Sequence, residues 1–126
     1  MHGCSIKNNV FLLGNISDAE FKYLLNETEL FVYIPLYEGF GLPVLEAMAA
    51  GAEILTSSTT SLPEVIGNTG HTVNPESQDK VVQKIKEILK EKRLDGIKRI
   101  DVISRARAFS WGKSAQQHMN IFKRIL

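Results

Sequence analysis

Two carboxylates, Glu38 and Glu46, stand in this chain with seven residues between them, Gly39-Phe40-Gly41-Leu42-Pro43-Val44-Leu45. An ionised carboxylate only accepts hydrogen bonds, and it can take two of them from a vicinal diol. A pair of such groups therefore suits a polyhydroxylated ligand. Gly39 and Gly41 strip side chains from the loop between the acids, so a ligand can approach backbone. That loop opens into a helix, whose first turn carries free N–H groups and partial positive charge, a natural seat for a diphosphate. Carboxylates touching the phosphates would repel them. The consistent arrangement puts one acid on a donor sugar and the other on a ribose, with the phosphates between them over the helix start. Singly, each feature has an ordinary reading: Glu46 as a solvated helix residue, Glu38 as a surface acid, Gly-x-Gly as a common turn. Their combination after a strand carries the functional reading.

The elements that would position this loop follow from hydrophobic periodicity and breakers. Val10, Phe11, Leu12 and Leu13 read as a buried strand closed by Gly14 and Asn15. Ser17 or Asp18 caps the next helix, with Glu20 in its first turn and Phe21, Leu24 and Leu25 as its stripe. Residues 30–34 form a second buried strand, stopped by Pro35. Residues 42–50 form a helix with Pro43 in its first turn and Gly51 at its left-handed exit. Residues 53–56 give a third strand, 57–60 a polar turn, and 62–66 a short helix capped by Ser61. Thr72 and Val73 mark a fourth, weak strand. From Ser77 the chain turns helical, with Val81, Val82, Ile85, Ile88 and Leu89 on one face. A helix over 95–108 follows, and Ser110 caps a last one carrying Trp111, Ala115, Met119, Phe122 and Ile125. Alternating strands and helices, with strands that are continuous apolar runs, predict a parallel sheet covered on both faces. Right-handed crossovers bring the strand-to-helix loops to one carboxyl edge, where such sheets bind ligands.

The chain has 126 residues, 44% hydrophobic, with a net charge of +1. That is one domain with a real core, and no electrostatic case for nucleic acid. The single cysteine, Cys4, permits no internal disulfide and points to a reducing, cytoplasmic setting. No apolar run approaches the roughly 18 residues of a membrane span, and the first nine residues lack the order of a signal peptide.

The stretch from Glu38 to Gly51 resembles the signature of the large retaining glycosyltransferase family of GT-B fold: Glu-Gly-Phe-Gly-Leu-Pro-x-Leu-Glu-Ala-Met-Ala-x-Gly. Phe11-Leu12-Leu13-Gly14 is similar to the family strand that passes the nucleotide base. Ser61-Leu62-Pro63-Glu64-Val65 with Gly67, and Phe109-Ser110-Trp111, resemble later family segments. The resemblance implies an α/β, Rossmann-like parallel sheet flanked by helices, corresponding to most of the C-terminal, donor-binding domain. It implies one nucleotide-sugar-binding domain over residues 1–126, with a terminal helical region from about residue 77. It implies Glu38 as the catalytic candidate, binding donor-sugar hydroxyls, and Glu46 on the ribose hydroxyls. Backbone of Gly39, Phe40, Gly41 and Leu42 would lie against sugar or phosphate, and backbone near Gly14 and Ile16 would border the base. Such enzymes transfer a sugar from a UDP-, GDP- or ADP-sugar with retention, to a glycan or lipid-linked acceptor. They are described as needing no cofactor or divalent metal, because helix dipoles and basic side chains stabilise the departing diphosphate. In a front-face reaction that phosphate accepts the acceptor's proton.

Family members have two Rossmann-like domains with the cleft between them. The match here is to the later part of the second. No residue corresponds to the Arg and Lys with which the family grips the diphosphate; Lys7 lies too close to the base strand. Leu36 stands where Ser commonly follows the proline, and Glu53 where Pro is common. The expected partners are accordingly an N-terminal acceptor domain, or another copy of the chain. The expected location is cytoplasmic, at the inner membrane surface where a partner domain brings it there. The alternative is a non-catalytic nucleotide-sugar-binding or interaction module. A sugar-nucleotide epimerase is the third reading; the spacing of the glutamates and Phe40 favour the transferase.

Other polar residues have structural readings. His71 belongs to a polar rim, His118 to an exposed helix face, and His2 to the start of the chain; their spacing suits no zinc site. Trp111 beside Phe109 suggests packing. Residues 57–61 suggest polar turn chemistry, Glu64 a capping role, and the Lys/Glu alternation over 84–92 a solvated face.

Overall fold

Capping chemistry starts the first helix. The Ser17 hydroxyl accepts the Glu20 amide at 3.3 Å, and the Glu20 carboxylate accepts the Ser17 amide at 2.8 Å. This reciprocal capping box satisfies two donors that the helix itself cannot. The computed structural model describes residues 9–91 and 96–125. His2, Cys4, Lys7 and Asp95 lie outside them. Helix α1 (Asp18–Glu27) buries Leu25 and packs Phe21 against the core. Strand β1 (Phe31–Tyr33) leads through the glycine loop to α2 (Leu42–Ala50), then β2 (Ile54–Ser57), α3 (Leu62–Ile66), β3 (His71–Val73), α4 (Gln78–Lys90), α5 (Gly96–Arg107) and α6 (Trp111–Ile125).

The three strands are parallel in the order β1-β2-β3, with Phe31 opposite Ile54 and Leu55 opposite His71. The expected α/β architecture is therefore present: a Rossmann-like parallel sheet flanked by helices, as in the C-terminal domain of a GT-B protein. Because side chains alternate across a strand, β2 feeds two clusters. Ile54 joins Val44, Ala47, Met48, Leu62, Ile66 and Val102 on one face, and Leu55 joins Val73 and Ile88 on the other. All of β2 is buried, as a central strand of a two-faced sheet requires. The second face is covered less fully. Val32 of β1, which shares that face, remains exposed.

Helix α5 closes the first face by packing along α2. Its arginines also serve neighbouring helix ends. Arg99 Nη2 donates to the Ala50 carbonyl at 3.0 Å, and Arg105 Nε donates to the Val65 carbonyl at 3.1 Å. Cations at helix C-termini satisfy orphan carbonyls and offset the dipole. Gly51 ends α2 with φ 75°. A Cβ there would come within 2.7 Å of Arg99 Nε, so left-handed geometry and close packing both ask for glycine.

Two expectations fail. Val10, Phe11, Leu12 and Leu13 form no strand; Phe11 is 80% exposed and Leu12 96%. A β-rich run becomes a strand only with a ladder partner, and none of the described residues pairs with this one. Trp111 does not pack: it is 83% exposed, and α6 has no buried residue. Ser110 does begin α6, its hydroxyl accepting the Lys113 amide at 3.2 Å. The apolar stripe of α6 is present but stays exposed. Among the described residues no helix is long and apolar enough to cross a membrane.

Candidate functional site

The carboxyl end of β1 delivers the chain into the loop that carries Glu38. Tyr33 is the last residue of the strand, and its carbonyl accepts the Thr56 hydroxyl at 2.7 Å, tying the strand end to β2. Five residues on, the Glu38 carboxylate is held twice. Tyr33 Oη donates to Oε2 at 2.6 Å, and the Gly39 amide donates to Oε1 at 3.1 Å. The Glu38 carbonyl accepts the Ser61 hydroxyl at 3.1 Å. The Ser61 hydroxyl makes no cap bond to α3, although Ser61 occupies the cap position. The 57–61 turn is thus polar and tethered to the loop; Thr59 also donates to the Leu36 carbonyl at 3.4 Å.

These contacts have an electrostatic result. The Tyr33 hydroxyl holds the Glu38 carboxyl below its ordinary range; partial burial opposes this, and the Phe40, Gly39 and Gly41 amides reinforce it. The reciprocal effect pushes the Tyr33 phenol up, first through its hydrogen bond to Glu38, then through burial and the negative charge of Glu38. Glu38 is therefore an ionised, acceptor-only group at neutral pH.

Gly41 forms the entry of α2 at φ 98° and ψ 50°. A Cβ on it would collide with the Leu62 side chain. Nothing lies near a Cβ built on Gly39, so the fold leaves open space there. No side chain caps α2, and its own hydrogen bonds begin with the Leu45 amide to the Gly41 carbonyl at 3.1 Å. The Leu42 and Val44 amides precede that ladder, and Pro43 has none. Leu42, Glu46 and Ala49 share the exposed face of α2, opposite buried Val44, Ala47 and Met48. Glu46 lies a little over one turn from the helix start, about 7 Å along the axis at helical rise. Neither Glu38 nor Glu46 is in an ion pair among the described residues.

The structure thus gathers Glu38, Gly39, Phe40, Gly41, Leu42 and Glu46 at one helix entry. Gly14, at φ 64°, and Ile16 lie on the segment ahead of α1, and no hydrogen bond joins them to this loop. Phe40 meets Phe109 edge-on, with ring centres 5.7 Å apart, and the Arg105 guanidinium sits 5.1 Å from the centre of the Phe109 ring. Tyr33, Arg105 and the Ser61 tether were not anticipated from sequence. The available signal for Tyr33 was a hydroxyl at the carboxyl end of the strand that feeds Glu38.

A cavity of about 480 Å³ opens elsewhere, beside the residues that start the strands, Glu53, Gly70 and His71. His71 Nε2 and Glu53 Oε1 are 2.8 Å apart there, so these two residues form a polar rim at the amino edge. Its volume does not outweigh the chemistry at the opposite edge, where the strand-to-helix loops and the free amides converge.

The chain matches the family described as "Glycosyl transferases group 1" over residues 1–109. It is 37% identical over 111 residues to O-antigen chain mannosyltransferase B of Escherichia coli, covering 88% of this chain and 29% of that protein. It is 33% identical over 120 residues to the serotype-specific mannosyltransferase WbdA of Escherichia coli, covering 95% and 15%. It is 33% identical over 127 residues to the MMP alpha-(1->4)-mannosyltransferase of Mycolicibacterium hassiacum, covering 96% and 30%. The chain spans under a third of the length of each of these relatives. The chain belongs to the glycosyl transferases group 1 family.

Proposed function

We propose that the chain is the nucleotide-sugar-binding part of a retaining glycosyltransferase of the Glu-x7-Glu type, using a mannosyl donor. The observation that carries this reading is the loop before α2. There an ionised acid, two glycines and an uncapped helix start adjoin a second acid, in no ion pair among the described residues, one turn along. In this reading Glu38 accepts donor-sugar hydroxyls, and Glu46 the ribose hydroxyls. The Leu42 and Val44 amides face the diphosphate, and Gly14 and Ile16 border the base. The names of the relatives favour mannose. The unit is a single donor domain over residues 1–126 that works with an acceptor-side domain in a cytoplasmic enzyme of surface-glycan assembly.

Thermal-shift titration with GDP-mannose, UDP-glucose and ADP-glucose tests it. One nucleotide sugar is expected to raise the melting temperature, and Glu46→Ala to abolish the rise. No shift with any of the three at millimolar concentration overturns the reading. A second reading, a binding module without turnover, is favoured because no cation among the described residues pairs with either glutamate. Binding without sugar transfer when an acceptor-side domain is supplied would select it.

A further inference from the structure

We propose that Tyr33 is a positioning residue that sets the orientation of the Glu38 carboxylate for the hydroxyls of the donor sugar. The inference rests on Glu38 being the donor-sugar ligand. Its own basis is geometric. A carboxylate cannot donate, so the 2.6 Å contact between Tyr33 Oη and Glu38 Oε2 has one direction, phenol to carboxylate. Its length is that of a hydrogen bond to a charged acceptor.

The donor is itself held. The Tyr33 ring stacks on Phe31 at 6.4 Å and 17° and packs against the core cluster under α2. Its carbonyl is tied to Thr56, its ladder partner on β2. A tyrosine has only two side-chain torsions before its hydroxyl, so the sheet places that hydroxyl with little freedom. The Glu38 carboxylate has about four acceptor positions. Tyr33 occupies one on Oε2, and the Gly39 amide one on Oε1. The Phe40 and Gly41 amides reinforce the same anchoring. The carboxylate is thus oriented from the protein side, by Tyr33 first, and presents its remaining capacity to the ligand. The opposite shifts of Glu38 and Tyr33 agree with this donor–acceptor assignment.

Tyr33→Phe keeps the ring and removes the donor. Calorimetric titration of the full 126-residue chain with GDP-mannose and with GDP separates the roles. The variant is expected to bind GDP-mannose about tenfold more weakly, the scale of one hydrogen bond to a charged group, and to bind GDP unchanged. Equal affinities of variant and parent for GDP-mannose would overturn the proposal, as would equal losses for both ligands. A parent chain that binds neither ligand would instead remove the reading of the site. The proposal then stands or falls on a ligand-free measurement, the pH titration of the ¹³C-labelled Glu38 carboxyl. Tyr33→Phe should move its midpoint up toward an ordinary carboxylate, and 3-fluorotyrosine at position 33, a stronger donor, should move it down. A midpoint unmoved by either substitution overturns the positioning role.

Discussion

Helices α2 and α6 both follow an aromatic-bearing loop, and both have a clear apolar face. In α2 that face, Val44, Ala47 and Met48, is fully buried; in α6 no residue is buried, and Trp111, Met119, Phe122 and Ile125 are exposed. The two differ in surroundings. α2 has β1, β2, α1, α3 and α5 against it, whereas no described element makes comparable contact with α6. Amphipathic pattern states which face seeks burial; the energy comes only with a packed neighbour. The candidate site loop is built on the helix that has those neighbours.

Substitutions can break or sharpen this contrast. Gly41→Val should have the largest effect, combining a strained left-handed residue with overpacking against Leu62; a loss of about 4 kcal/mol is expected in urea unfolding. Met48→Ala empties a fully buried position and should lower stability by about 3 kcal/mol in the same measurement. Arg105→Ala removes the donors to the Val65 and Glu64 carbonyls; about 1 kcal/mol is expected, reduced by partial exposure.

A smaller effect should follow pH. The depressed Glu38 carboxyl adds stability above the ordinary carboxylate range, and this is lost as pH falls through its folded value. The raised Tyr33 phenol adds stability below its ordinary range, lost as pH rises through its folded value. Urea midpoints measured across pH should decline at both ends, and less steeply in Tyr33→Phe. Phe122→Ser on α6 should cost the least, under about 0.5 kcal/mol. A cost near that of Met48→Ala would show α6 packed in solution, against a second copy of the chain, and would erase the contrast.

Local signals were the legible ones. The capping box of Ser17 and Glu20, Pro43 at the start of α2 and the left-handed exit at Gly51 each follow from the chemistry of a few adjacent residues. The strand-loop-helix unit around Glu38 was legible for the same reason, and continuous apolar strands gave the parallel sheet its signature. Tertiary partnership was not. Phe11 and Leu12 have strand composition without a ladder among the described residues, and Trp111 has aromatic surface left exposed. The Tyr33 to Glu38 bond depends on strand direction and on a loop turning back over the strand end. Neither is encoded in spacing alone. The Arg105 clamp, 40 residues from Val65 in sequence, is more distant still.

Two of the arginines of α5, Arg99 and Arg105, make a splint. Arg99 holds the rear of α2 and Arg105 the rear of α3, so both helices are fastened to one rod. A ligand drawn onto the front of α2 would pull against that fastening. The load would pass through α5 into α3 and, by way of Ser61, back to the loop it came from.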